Sequence, residues 1–168
     1  MNIYLIGMMG SGKTTIARNL SKIINKNYID TDSIIELKEN MTINEIFSKL
    51  GESHFRKIES EVLQSIAKNS IIACGGGIIL KKINREFLKK NGITVYLKTS
   101  IPILVNRLKG QNLRPLVNDK NITNALIDIF DRREILYEKT ANVQIDTDDK
   151  TIEDITFNLK EKLIIEEN

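Results

Sequence analysis

Near its start the chain reads Gly7-Met8-Met9-Gly10-Ser11-Gly12-Lys13-Thr14, a full match to the pattern G-x-x-x-x-G-K-S/T. This feature constrains the fold most, because the pattern carries meaning only between a buried strand and a helix. Both flanks comply. Ile3, Tyr4, Leu5 and Ile6 form a short apolar run suited to a buried strand, and Ile16, Leu20, Ile23 and Ile24 recur at helical spacing. The glycines let backbone N–H groups turn toward phosphate oxygens without a Cβ in the way, while the helix aims the positive end of its dipole at the same anion. Gly10, Ser11, Gly12, Lys13, Thr14 and Thr15 are therefore expected to hold a nucleoside triphosphate. Lys13 would reach the β- and γ-phosphates, and the Thr14 hydroxyl would ligate Mg²⁺.

At 168 residues the chain reads as one domain, 1–168, large enough to bury a core. A net charge of only +3, with the basic residues dispersed, argues against nucleic acid and agrees with a site for small anions. Cys74 is the only cysteine, so no internal disulfide can form, which fits a reducing cytosol. No apolar stretch approaches membrane-spanning length. With Met1 almost on the first strand, no signal peptide is expected. The expectation is a cytoplasmic monomer with neither nucleic-acid nor membrane partners.

Strands and helices alternate along the rest of the chain. Short apolar runs predict strands at 28–30, 71–74, 93–97 and 143–145. Helices are predicted over 33–39, 55–68, 82–90 and 100–109, up to about 139, and from 151 onward. Thr42 opens a further helix with Glu45 three residues on, the spacing of a capping box, and Gly51 is expected to close it. The polar stretch 110–121 reads as irregular. Alternation without long gaps predicts an α/β fold with a parallel sheet covered by helices on both faces.

Three further signals fall where such a sheet opens its cleft, at the carboxyl ends of strands. Asp30-Thr31-Asp32 follows the second strand. Its two carboxylates can serve a Mg²⁺ shell and a substrate hydroxyl, or Thr31 or Asp32 can simply cap the next helix. Gly75-Gly76-Gly77 ends the third strand and offers either bare backbone to a substrate or a plain turn. The last signal is charge on apolar helix faces. Glu59 projects into the stripe made by Phe55, Ile58, Val62 and Ile66, with Arg56 on its flank. Arg133 sits at the centre of a face shared by Leu126, Ile129, Phe130, Leu136 and Tyr137. Such charges either pair with one another or line a polar cleft, and two arginines there would suit a carboxylate.

In this order the phosphate loop, Asp30-Thr31-Asp32, Phe55-Arg56-x-x-Glu59, Gly75 to Gly77, Arg114-Pro115-Leu116 and Arg133 with Leu136-Tyr137 resemble the shikimate kinase family nearly end to end. The phosphate loop is shared by many unrelated enzymes; the ordered set is far more specific. The resemblance implies a P-loop nucleoside-monophosphate-kinase-like fold with a five-stranded parallel sheet. It also implies transfer of the γ-phosphoryl group of ATP, with Mg²⁺, to the 3-hydroxyl of shikimate.

Roles follow by the same resemblance. Asp30 would support the Mg²⁺, and Asp32 would hold the attacking hydroxyl, as its base or only as its anchor. Arg56 and Arg133 would bind the shikimate carboxylate, with Glu59 orienting Arg56. Gly75, Gly76 and Gly77 would offer backbone to the ring. A helical segment at about 32–60 would carry the substrate, and a mobile lid at about 110–121 would bring Arg114 onto the phosphates. Arg107 would contact the adenine, with the segment around Thr147 finishing that pocket. One position departs from the family, which often has Thr or Ser where this chain has Cys74. Mg²⁺ prefers oxygen ligands, so Cys74 is read as packing only. Another small-metabolite kinase, such as a gluconate kinase, and a non-catalytic nucleotide-binding module remain as alternatives. A GTP switch is disfavoured, because Asn25-Lys26-Asn27-Tyr28 lacks the acid of a guanine-reading N-K-x-D.

Overall fold

The computed structural model describes residues 1–109 and 122–166. The predicted lid at 110–121, with Arg114, lies outside the described residues. The strands are β1 (Asn2–Ile6), β2 (Asn27–Asp30), β3 (Ser70–Ala73), β4 (Gly92–Lys98) and β5 (Val143–Asp146). The helices are α1 (Lys13–Ile24), α2 (Thr31–Glu39), α3 (Ile43–Ser65), α4 (Lys82–Asn91), α5 (Ile101–Leu108), α6 (Ile122–Thr140) and α7 (Ile152–Glu166), with a 3-10 turn at Ile78–Leu80. The strands form one all-parallel sheet in the order β2-β3-β1-β4-β5, in register at Ile3 with Ile71 and Leu5 with Val95.

Both faces of the sheet are buried, and the two-residue period of the strands sorts their side chains between two cores. Ile3, Leu5, Ile71, Ala73, Val95 and Leu97 point to the side covered by Ile16 and Leu20 of α1 and Leu159 of α7. Tyr4, Ile6, Ile72, Cys74 and Tyr96 point to the other, against Leu63, Leu88, Leu104, Leu126 and Tyr137. A smaller core joins Ile35 of α2 to Ile43, Ile46, Phe55 and Ile58 of α3. No helix among the described residues is long and apolar enough to cross a membrane.

Two predicted boundaries are corrected. Helix α2 begins at Thr31 rather than Ser33, because Asp30 is its cap: Oδ1 accepts the N–H of Asp32 at 3.0 Å and of Ser33 at 3.4 Å. The capping box at Thr42 and Glu45 forms and Gly51 interrupts the helix, both as expected, but the next helical stretch follows directly after Gly51 rather than starting at Phe55. Gly51 takes φ 83° and ψ 165°, a left-handed kink between two helical stretches that continue into one another.

Candidate active site

The phosphate loop leaves the carboxyl end of the central strand β1. Gly10 and Gly12 adopt φ of 78° and 91°, values that strain any residue with a Cβ. Helix α1 has no side-chain cap and no acid in its first turn, so its leading N–H groups remain available to an anion. The Lys13 ammonium is held at the loop, donating to the carbonyls of Gly7 at 3.0 Å and Met8 at 2.7 Å.

Asp30 both caps a helix and faces the phosphate loop. While Oδ1 caps α2, Oδ2 accepts the Thr14 hydroxyl at 2.8 Å and the Tyr28 hydroxyl at 3.3 Å. A hydroxyl and a carboxylate meeting beside a phosphate loop form a hard-oxygen donor pair. That suits Mg²⁺, which keeps several waters and completes its shell with substrate phosphates rather than a protein cage. Thr31, one of the two residues read as a possible cap, is instead buried. Its Oγ1 accepts the Gly75 N–H at 2.9 Å, fastening the start of α2 to the glycine triplet.

The triplet runs between the phosphate loop and a buried acid–arginine cluster. A Cβ on Gly76 would lie 3.3 Å from the Gly7 carbonyl oxygen, and one on Gly75 would lie 2.8 Å from both Asp32 Oδ1 and Glu59 Oε1. A Cβ on Gly77 would overlap the Arg56 guanidinium. Arg56 Nη1 donates to Glu59 Oε2 at 2.8 Å, and its Nε and Nη2 both donate to Glu52 Oε1 at 3.1 Å. Burial holds the Glu59 carboxyl above its usual range, and Arg56, then Arg133 and Lys81, offset only part of that rise. Arg133 turns to backbone: Nη1 donates to the Gly76 carbonyl at 3.3 Å, and the Tyr137 hydroxyl donates to the same oxygen. Thus Arg56 pairs with Glu59, while Arg133 packs onto the triplet.

A cavity of about 710 Å³ is lined by the loop from Met9 to Ile16, by Asp30, Asp32 and Gly76, and by Arg107, whose Nη1 donates to the Gly10 carbonyl at 3.3 Å. Apart from Thr147, every described residue predicted to bind nucleotide or metal is therefore brought to one cavity. It does not extend to Arg56, Gly75, Gly77 or Arg133; the two arginines are only 8% and 7% exposed. Cys74 is buried, with its thiol pushed well up by desolvation, yet it also lines this cavity, so the expectation that it only packs is corrected. Thr147 does not reach the cavity. It is buried, and its hydroxyl meets that of Thr99 at 2.6 Å, tying the end of β5 to β4. The segment after Thr147 does contribute, through Lys150, and Leu108, Ile152 and Ile155 also line the cavity, though the sequence singled out none of the four by residue.

A parallel sheet in this order, a phosphate loop after its central strand and a hydroxyl–carboxylate pair beside it define the class of P-loop kinases. The shikimate kinase family model matches residues 9–164, and the chain belongs to the shikimate kinase family. A shikimate kinase of Bacillus cereus is 43% identical over 163 residues, covering 96% of this chain and 98% of that protein. One of Thermodesulfovibrio yellowstonii is 40% identical over 167 residues, covering 98% and 94%. The solved shikimate kinase from Acinetobacter baumannii in complex with shikimate superposes with a TM-score of 0.95 at 37% identity, covering 98% of this chain and 93% of that one. A gluconokinase from Sinorhizobium meliloti, at 14% identity and a TM-score of 0.57, shares only the fold.

Proposed function

We propose that this protein transfers the γ-phosphoryl group of ATP to the 3-hydroxyl of shikimate, giving shikimate 3-phosphate and ADP. One observation carries this reading beyond the family: the Gly75–Gly77 turn touches the phosphate loop through Gly76 and the arginine cluster through Gly77. A small acceptor lying on this turn would have its hydroxyl near the phosphates and its carboxylate near Arg56 and Arg133.

The protein's work is then positioning and charge neutralisation, because phosphoryl transfer asks for little covalent chemistry. Loop N–H groups and Lys13 hold the β- and γ-phosphates. Thr14 and Asp30 would hold Mg²⁺, which when bound neutralises charge on the transferring group. Asp32, pressed against Gly75, orients the attacking hydroxyl, and the forks of Arg56 and Arg133 fix the carboxylate at the other end. Arg107, with Lys150 and Ile152, takes the nucleotide's base and ribose. Arg114 joins the neutralising set on family resemblance alone.

Assaying ADP release with shikimate, gluconate and nucleoside monophosphates in parallel tests the proposal. Turnover with shikimate alone is expected. Turnover with gluconate or a nucleotide acceptor in its place would reassign the substrate.

A further inference from the structure

Tyr137 has no place in the chemistry above, yet it stands fully buried where three parts of the site meet. Its hydroxyl donates to the Gly76 carbonyl, the acceptor that also receives Arg133 Nη1 at 3.3 Å. The same hydroxyl lies 4.0 Å from the sulfur of Met8 in the phosphate loop. Its ring is stacked on Tyr96 of β4, with centroids 5.0 Å apart and planes at 19°. The ring is held between α6 and β4, so the hydroxyl, which faces the loops leaving β1 and β3, has little freedom to point elsewhere.

We infer that Tyr137 is a positioning residue for the acceptor substrate: its hydroxyl occupies the Gly76 carbonyl and so sets where Arg133 presents its guanidinium to the carboxylate. The inference rests on the reading of Arg133 as a carboxylate ligand. A carbonyl oxygen has two lone pairs, and here the phenol makes the shorter contact while the guanidinium makes the longer one. Without the hydroxyl, Arg133 would be the stronger remaining donor to that oxygen. In a site this dry it would close onto the carbonyl and turn its fork from the substrate. Burial raises the phenol to about 12, so it stays a donor across the working pH range. A hydroxyl that merely filled the core would affect melting and leave substrate affinity alone.

The test compares Tyr137→Phe, Arg133→Met, the double variant and Tyr96→Phe in steady-state kinetics, with a thermal melt for each. Tyr96 is the control, since its hydroxyl is buried without a hydrogen-bond partner among the described residues. Tyr137→Phe keeps the ring and its stack. We expect it to raise the KM for shikimate about three- to tenfold, the worth of one hydrogen bond, with kcat and the KM for ATP near wild type. Added to Arg133→Met it should raise KM no further, and Tyr96→Phe should leave KM unchanged. An unaltered KM in Tyr137→Phe, an equal further rise on the Arg133→Met background, an equal rise in Tyr96→Phe, or a Tyr137→Phe that does not fold would each overturn the inference. An unaltered KM in Arg133→Met would instead refute the carboxylate reading of Arg133, and the inference with it.

Discussion

The Thr14 hydroxyl donates to Oδ2 of Asp30 at 2.8 Å, while the other oxygen of that carboxylate caps α2. One side chain thus links the phosphate loop to the start of the segment carrying Asp32. The two duties separate by substitution. Asn retains a capping oxygen, whereas Ala loses it at a cost of about 0.5–2 kcal/mol. Asp30→Asn should melt near wild type and Asp30→Ala lower, while both need far more Mg²⁺ for half-maximal ADP release. A magnesium titration beside a thermal melt checks both outcomes.

Gly77→Ala should damage substrate binding more than folding. The new Cβ would overlap the Arg56 guanidinium, which is pinned between Glu52 and Glu59 and cannot swing away without leaving a buried acid unpaired. The stability loss should be about 1–3 kcal/mol, that of an overpacked site, read by denaturant titration. The KM for shikimate should rise severalfold with the KM for ATP unchanged, and a proportional rise in both would contradict this account.

Much of the site is legible in the sequence because it rests on residues whose chemistry is hard to use otherwise. A G-K-T after a buried strand, three successive glycines and an arginine on an apolar face each conflict with ordinary packing. The conflicts resolve as cavity-lining loop, close approach and carbonyl contact. Less legible is what depends on geometry across the chain. The cap of α2 is Asp30 because the helix starts directly off the last residue of β2, two residues earlier than the local sequence implies, which places the Thr31 hydroxyl where it accepts the Gly75 N–H. Lys150, Ile152 and Ile155 escaped notice because a lysine in a polar turn and isoleucines on a helix look the same whether they line a cavity or cover a core. Ile155 does both.

Arg133→Met separates site from core. Glu59 keeps its ion pair with Arg56 when Arg133 is removed, so the loss should stay well below the roughly 3–5 kcal/mol of stranding a buried charge. The KM for shikimate should rise by about tenfold or more, as for a lost charge-assisted fork, with ATP affinity little changed. An analogue lacking the carboxylate should be nearly indifferent to the substitution. Isothermal titration with each ligand reads this directly.

The acid limb of the stability profile should contain a contribution from the capping box of α3. The Thr42 backbone N–H, then Lys49 and the Thr42 hydroxyl, bring Glu45 from 4.5 down to about 2. A carboxylate with a depressed folded pKa stabilises above its unfolded pKa and loses that effect as pH falls. The contribution is therefore complete above about pH 4.5 and fades toward pH 2. Glu45→Gln can still accept at Thr42 but does not titrate. Circular dichroism melts between these pH values should show a shallower decline in the variant, and parallel declines would remove Glu45 from the acid response.

The central claim is tested most directly by identifying the product. The purified protein is incubated with ATP, Mg²⁺ and shikimate, and the mixture is followed by phosphorus and proton NMR. The account predicts a single phosphate ester coupled to the proton at C3 of the ring, formed in equal amount with ADP. An ester on another hydroxyl, or ADP formed with inorganic phosphate and no ester, would contradict it.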